Sequence, residues 1–257
     1  MSSVRLTAEL ATLGFGSRDL ARLVRQQSLV HVRRGAYAEP LPPEATAEQV
    51  HTQLVAATAP QLHPDAVISH QSAAVLHGLP VWPDALDRVH VTRSRSSGAR
   101  RRPLVAVHSA SLEVADVVPL GGLQVTSLSR TVVDLARTLP LAQAVAAGDR
   151  SLNRTTPAAL EAGFARMARW PGARAARRTL DLLDARSESA GESASRVQIH
   201  LDGLPAPEPQ YRVRDDHGSV VARCDFGGEE LRTIGEFDGQ IKYARLLKPG
   251  QTVADVV

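Results

Sequence analysis

Residues 220–237 restrict the architecture of this chain more than any other stretch. Two runs rich in β-branched and aromatic residues, 220–226 and 232–237, flank a Gly227-Gly228-Glu229-Glu230 turn. Strand-forming runs separated by a glycine-bearing turn predict a β-hairpin. Side chains alternate along a strand, so Glu236 and Asp238 share a face with Ile234, and Asp225 shares one with Arg223. Where pairing brings these faces together the carboxylates converge, and their repulsion is relieved only by protons or a cation. Oxygen-only donors of this kind suit Mg²⁺ or Mn²⁺, so Asp225, Glu236 and Asp238 are the candidate metal ligands. Acidic residues around a glycine-rich turn also occur simply as a solvated surface.

The 257 residues are 43% hydrophobic and 22% charged, enough for a substantial core and for more than one domain. No apolar run reaches membrane-spanning length, and the N-terminus lacks the apolar stretch of a secretion signal, so a cytoplasmic protein without a membrane partner is expected. Cys224 is the single cysteine, which excludes an internal disulfide and a cysteine-based zinc cluster. The net charge of +3 conceals an asymmetry. Residues 1–178 carry 21 Lys and Arg against 13 Asp and Glu, whereas residues 179–257 carry 9 against 14. A basic region suits a polyanion such as DNA, and an acidic one suits a cation or a basic partner.

Within residues 4–38 the pattern predicts a helix to about Leu13, a Gly14-Phe15-Gly16 break, a helix from an N-cap at Ser17 to about Gln27, and two short strands around a basic turn. Leu20, Leu23 and Val24 fall on one face of the second helix, and Arg18, Arg22 and Arg25 on the other. With Arg33 and Arg34 in the following hairpin, this is the order of a winged helix-turn-helix, whose second helix enters the major groove while the wing touches phosphates. An amphipathic helix with solvated arginines satisfies the same spacing. The Gly-Phe-Gly-Ser-Arg-Asp-Leu core and Val-Arg-Arg-Gly-Ala-Tyr wing resemble the N-terminal domain of AbiEi-type antitoxins. That resemblance implies a DNA-binding regulator of a type IV toxin-antitoxin system, with a cognate toxin as a possible partner.

Residues 40–43 hold a proline cluster that reads as a linker. Beyond it, helices are predicted over 46–59, 69–77, 129–138 and 141–151, and strands over 88–92, 104–109 and 123–125. The loop 93–102 carries five arginines and reads as the tip of a basic hairpin, able to follow a phosphate backbone or simply to be solvated. Two further helices within 157–185 break at Trp170-Pro171-Gly172 amid a collar of Arg166, Arg169, Arg174, Arg177 and Arg178. The middle region also resembles AbiEi-like regulators. His70 and His77, seven apart, more often pack or cap than bind zinc.

From residue 179 onward the order is a Ser/Glu-capped helix over 197–201, a strand over 210–214, a turn at 215–218 and the hairpin. This third resembles the restriction-endonuclease-like, or PD-(D/E)XK, superfamily, especially its branch related to very-short-patch-repair endonucleases. The resemblance implies that Glu192 is the helix glutamate, Asp225 the central metal ligand and Glu236 the second. A Mg²⁺-dependent DNA endonuclease would use these groups to polarise a phosphate and activate a water. The family's lysine position, two residues after the second acid, holds Asp238. Lys242 is the candidate replacement. The resemblance further implies a core continuing past Val257 with a helix and another strand.

The expected fold is therefore α+β. A winged helix-turn-helix occupies residues 1–40, a mixed α/β region 44–178, and a partial restriction-endonuclease-like domain 179–257.

Overall fold

The computed structural model describes residues 4–94, 104–230 and 232–238. Helices and strands are mixed as an α+β chain requires, and the strands form three separate sheets.

The first sheet is built from β1 (Arg5–Leu6), β2 (Val30–Arg33) and β3 (Ala36–Ala38), in the order β1-β3-β2, with α1 (Thr7–Thr12) and α2 (Ser17–Arg25) inserted after β1. Residues 5–6 thus pair with β3, where sequence periodicity predicts the start of a helix. Glu9 shows why the helix starts later. Its carboxylate accepts the Leu6 N–H at 2.8 Å, capping the first turn at Leu6. α1 ends in a Schellman turn, with Phe15 N–H on Leu10 O and Gly14 N–H on Ala11 O, both at 3.0 Å. Gly14 stands at φ +88°, the left-handed conformation that this stop requires. Ser17 is the first helical residue of α2 rather than its cap. The cap is Gly16, whose N–H donates to Asp19 Oδ2 at 3.0 Å. Central β3 buries Ala36 and Ala38 completely, while Leu10 and Leu20 close the small core from the two helices.

α3 (Ala47–Thr58) begins with a reciprocal cap, in which Thr46 N–H donates to Gln49 Oε1 at 2.9 Å and Gln49 N–H to Thr46 Oγ1 at 3.3 Å. There follow β4 (Val67–Ile68), α4 (His70–Leu76), β5 (Val89–Arg93), β6 (Val105–Ser109), β7 (Val117–Leu120) and β8 (Leu123–Thr126). These strands form a mixed five-stranded sheet in the order β6-β5-β4-β8-β7. β5 and β6 run parallel, with Val89 opposite Val105 and Thr92 opposite His108. Residues 94–104 are therefore a connection between parallel strands, not the hairpin tip expected from the sequence, and residues 95–103 lie outside the described residues. Val55, Ile68, Ala73, Val89, Val91, Val105 and Val125 form the core of this layer.

α5 (Leu128–Thr138), α6 (Leu141–Ser151), α7 (Pro157–Ala165) and α8 (Ala173–Asp181) bury a second cluster that includes Leu79, Val132, Leu135, Ala147 and Leu160. Beneath Trp170 lies a buried ionic network. Arg130, 1% exposed, donates from Nε to Asp134 at 2.8 Å and from Nη1 to Asp116 at 3.2 Å. Arg166 joins Asp116 at 2.7 Å and Arg137 joins Asp134 at 3.1 Å. Part of the predicted arginine collar is thus paired, since Arg177 also forks onto Glu161 with two bonds of 2.7 Å.

The last layer contains α9 (Ala190–Leu201), β9 (Glu208–Arg214), β10 (Val220–Gly228) and β11 (Thr233–Gly235), an antiparallel meander ordered β11-β10-β9. Helix α9 is longer than the sequence pattern indicates. Ser189 Oγ caps it by accepting the Glu192 N–H at 3.1 Å. Asp149 of α6 ties it to the middle layer, accepting from Asp184 N, Ser193 Oγ and Arg196 Nη2, each at 2.7 Å.

Candidate functional site

Two surfaces carry the residues singled out in the sequence. On the first, Leu20 is buried and Leu23 and Val24 half-buried, so α2 turns its opposite face outward. Arg18, Arg22 and Arg25 are exposed on that face. Arg22 is 58% exposed although it pairs with Asp19 at 3.0 Å. Such an exposed pair in the same helix contributes only about 0.3–0.5 kcal/mol and yields readily to another anion. Arg22 and Arg25 in the last turn also complement the negative end of the helix dipole, which is reason enough for cations there in a purely structural helix. In the β2–β3 hairpin Arg34 is exposed and Arg33 half-buried. Gly35, at φ +82°, makes the turn that sets Arg34 at the tip.

The second surface is acidic. The β10–β11 register pairs Phe226 with Gly235, the last residue of β11, and Glu236 follows directly. On the other side Asp225 lies across from Gln210, between the Cys224–Tyr211 and Phe226–Pro209 pairs. Gln210 and Asp225 therefore face each other across β9 and β10. Gln210 stands at φ +56°, a conformation costly for a residue with a side chain, and its amide donates to Glu192 Oε2 at 3.0 Å. Glu192 is 7% exposed and also accepts the Glu188 N–H at 2.9 Å. Asp225 Oδ2 accepts the Phe237 N–H at 2.7 Å, which folds the chain after β11 back over β10. Glu188 and Arg223 form a two-bond fork at 2.9 and 3.1 Å on the same side. Burial raises the Cys224 thiol above its usual range, helped by a hydrogen bond to Glu236 and by the charges of Glu236 and Asp225.

Glu192 and Asp225 use oxygens on amide donors. Among the described residues, no three His, Cys, Asp or Glu side chains gather into a group that could hold a metal ion. Glu236 and Asp238 are exposed, and Lys242 lies outside the described residues.

No protein-family model matches the chain. It is 30% identical over 175 residues to two uncharacterised proteins of Mycobacterium tuberculosis, MT2308 of strain CDC 1551/Oshkosh and Rv2248 of strain ATCC 25618/H37Rv. The match covers 62% of this chain, and the chain spans 64% of the length of those relatives. Among solved structures, the crystal structure of the RV2827C protein from Mycobacterium tuberculosis aligns with a TM-score of 0.43 at 19% identity, covering 82% of this chain and 83% of that one.

Sequence reasoning missed Gln210, the residue that joins the helix glutamate to β9. Its strained backbone leaves no trace in residue type. It also missed the grouping of His70, His90 and His108, which come from the start of α4 and from two neighbouring parallel strands. His77 sits at the end of α4 with Nε2 2.8 Å from Thr126 O, a packing contact between helix and sheet.

Proposed function

We propose that the chain is a DNA-binding transcriptional regulator resembling the antitoxin of a type IV toxin-antitoxin system, with a nuclease-like C-terminal domain. The observation that carries this reading is the exposed arginine row Arg18, Arg22 and Arg25 on α2, beside a hairpin tipped by Arg34. With Leu20 buried and Leu23 and Val24 half-buried, α2 turns its apolar side inward and presents a row of guanidinium groups outward. Guanidinium groups at that spacing reach phosphates and, in the major groove, the O6 and N7 acceptors of guanine. The experiment is a gel-shift titration with the DNA upstream of the protein's own gene. Replacing Arg18, Arg22 and Arg25 with alanine abolishes the shift; a triple variant that binds as tightly as the parent overturns the reading.

A second reading, a Mg²⁺- or Mn²⁺-dependent DNA endonuclease, is favoured by Asp225, set across from Gln210 and its bond to Glu192, with Glu236 following β11. Oxygen donors of this chemistry suit a hard cation, which would polarise a scissile phosphate. On this reading Asp225→Ala and Glu236→Ala each remove a metal-dependent nicking activity of the parent. Equal nicking by parent and variants assigns it to a contaminant.

A further inference from the structure

A cavity of about 400 Å³ opens between the edge of the five-stranded sheet and the helices behind it, lined among others by His70, His108, Ser109, Arg130, Arg137 and Trp170. It is distinct from both surfaces described above. Its chemistry is that of an anion receptor. Arg130 is 1% exposed, and its Nη2 has no hydrogen-bond partner among the described residues. Nε and Nη1 of the same guanidinium are held by Asp134 and by Asp116 with Ser111 O, so the group cannot turn to satisfy the third nitrogen. A buried charged donor left in this way is rare in folded proteins and marks a place where an acceptor belongs.

The neighbours point to the same kind of ligand. Arg137 is fixed by Asp134 and by Pro171 O at 2.9 Å, and both guanidinium groups lie 5.1 Å from the centre of the Trp170 ring. The one carboxylate in the wall, Asp134, is bonded on both oxygens by these arginines, and three guanidinium groups share the buried carboxylates Asp116 and Asp134. Glu113, the remaining nearby acid, is 65% exposed and 3.7 Å from Arg166. His70 stacks on His108 with ring centres 3.5 Å apart, and His108 Nε2 lies 3.0 Å from His90 Nδ1. When His90 donates that bond, His108 carries its proton on Nδ1 and is a donor there. His70 holds φ +49°, a strained conformation that sets its ring against His108 at the cavity wall.

We propose that this cavity binds the phosphate group of a small ligand, with Arg130 Nη2 and Arg137 as charged donors and His108 and Ser109 as neutral ones. A tetrahedral oxyanion accepts from all four directions, and arginine forks recognise it with geometric specificity. The proposal stands independently of the DNA-binding and nuclease readings, since it uses none of their residues.

The test uses the full chain carrying Trp82→Phe, so that Trp170 is the only tryptophan and reports on the arginines stacked against it. Fluorescence is titrated with inorganic phosphate, with AMP and, at matched ionic strength, with sodium chloride. A saturable change with phosphate, absent with chloride, is expected, and at least tenfold tighter binding of AMP identifies a larger phosphorylated ligand. His108→Leu and Arg137→Met leave the Arg130–Asp116 pair in place. Each should weaken binding at least tenfold while the folded far-ultraviolet circular dichroism is retained. No saturable change with either phosphate compound, or unaltered binding by both folded variants, overturns the proposal.

Discussion

Arg130→Met separates a structural role of the buried network from an incidental one. The substitution keeps most of the side-chain volume and removes a guanidinium that is 1% exposed, bonded to Asp134 at 2.8 Å and to Asp116 at 3.2 Å. Both carboxylates are themselves nearly inaccessible, at 0% and 4% side-chain exposure. Removing one partner of a buried ion pair leaves an uncompensated charge and costs about 3–5 kcal/mol. Here each carboxylate keeps a second arginine, Arg166 on Asp116 and Arg137 on Asp134, which places the expected loss at the lower end. The lost stacking on Trp170, at 5.1 Å, adds about 0.5–2 kcal/mol. A loss of about 3.5–5 kcal/mol is a large share of a total stability of about 5–15 kcal/mol. Urea unfolding followed by circular dichroism and tryptophan fluorescence reads it as a lower midpoint. Arg88→Ala is the control, because Arg88 pairs with Asp87 at 2.9 Å while 46% exposed, and such pairs contribute about 0–1 kcal/mol. If Arg130→Met costs no more than Arg88→Ala, the network is not what holds α5 under Trp170.

Two further outcomes follow from the same packing. Burial lowers the His70 imidazole to about 2 and His90 to about 4, with the neighbouring histidines adding to both. The unfolded chain therefore binds protons that the native one refuses. The resulting stability is complete above the ordinary histidine value and is lost as pH falls through the window between it and about 4. At about 1.4 kcal/mol per pH unit for each histidine, unfolding midpoints should fall steeply from pH 6.5 to 4.5, and His90→Gln should flatten that slope. Asp149→Ala removes the acceptor of three bonds of 2.7 Å and leaves Arg196, 12% exposed, without its carboxylate. It should cost about 3 kcal/mol in urea unfolding and raise amide exchange in α9 ahead of the five-stranded sheet.

Local signals in this chain were legible and long-range ones were not. The arginine face of α2 rests on residues within a few positions of one another and stands where spacing indicates, whereas Gly227 and Gly228, read as part of the turn, are the last residues of β10, paired with Ile234 and Thr233. The strand β7 escaped because Pro119 interrupts its apolar run, and a proline in a strand is tolerated only at an edge, which is where β7 lies. Short β-branched runs on either side of a polar loop look alike whether they pair parallel or antiparallel, so the parallel β5–β6 pair read as a hairpin. The bond of Gln210 to Glu192 and that of Arg223 to Glu188 depend on how α9 and the residues before it lie across the sheet. Asp149 and Arg196, 47 residues apart, are joined only by packing.

The most direct test of the central claim is the salt dependence of DNA binding, measured by fluorescence anisotropy on the upstream sequence. If the α2 arginines engage phosphates, log K falls linearly with log salt concentration, and the Arg18, Arg22, Arg25 triple alanine variant loses about 2.7 from the slope, roughly 0.9 for each contact removed. An unchanged slope and affinity in the folded triple variant would contradict the account.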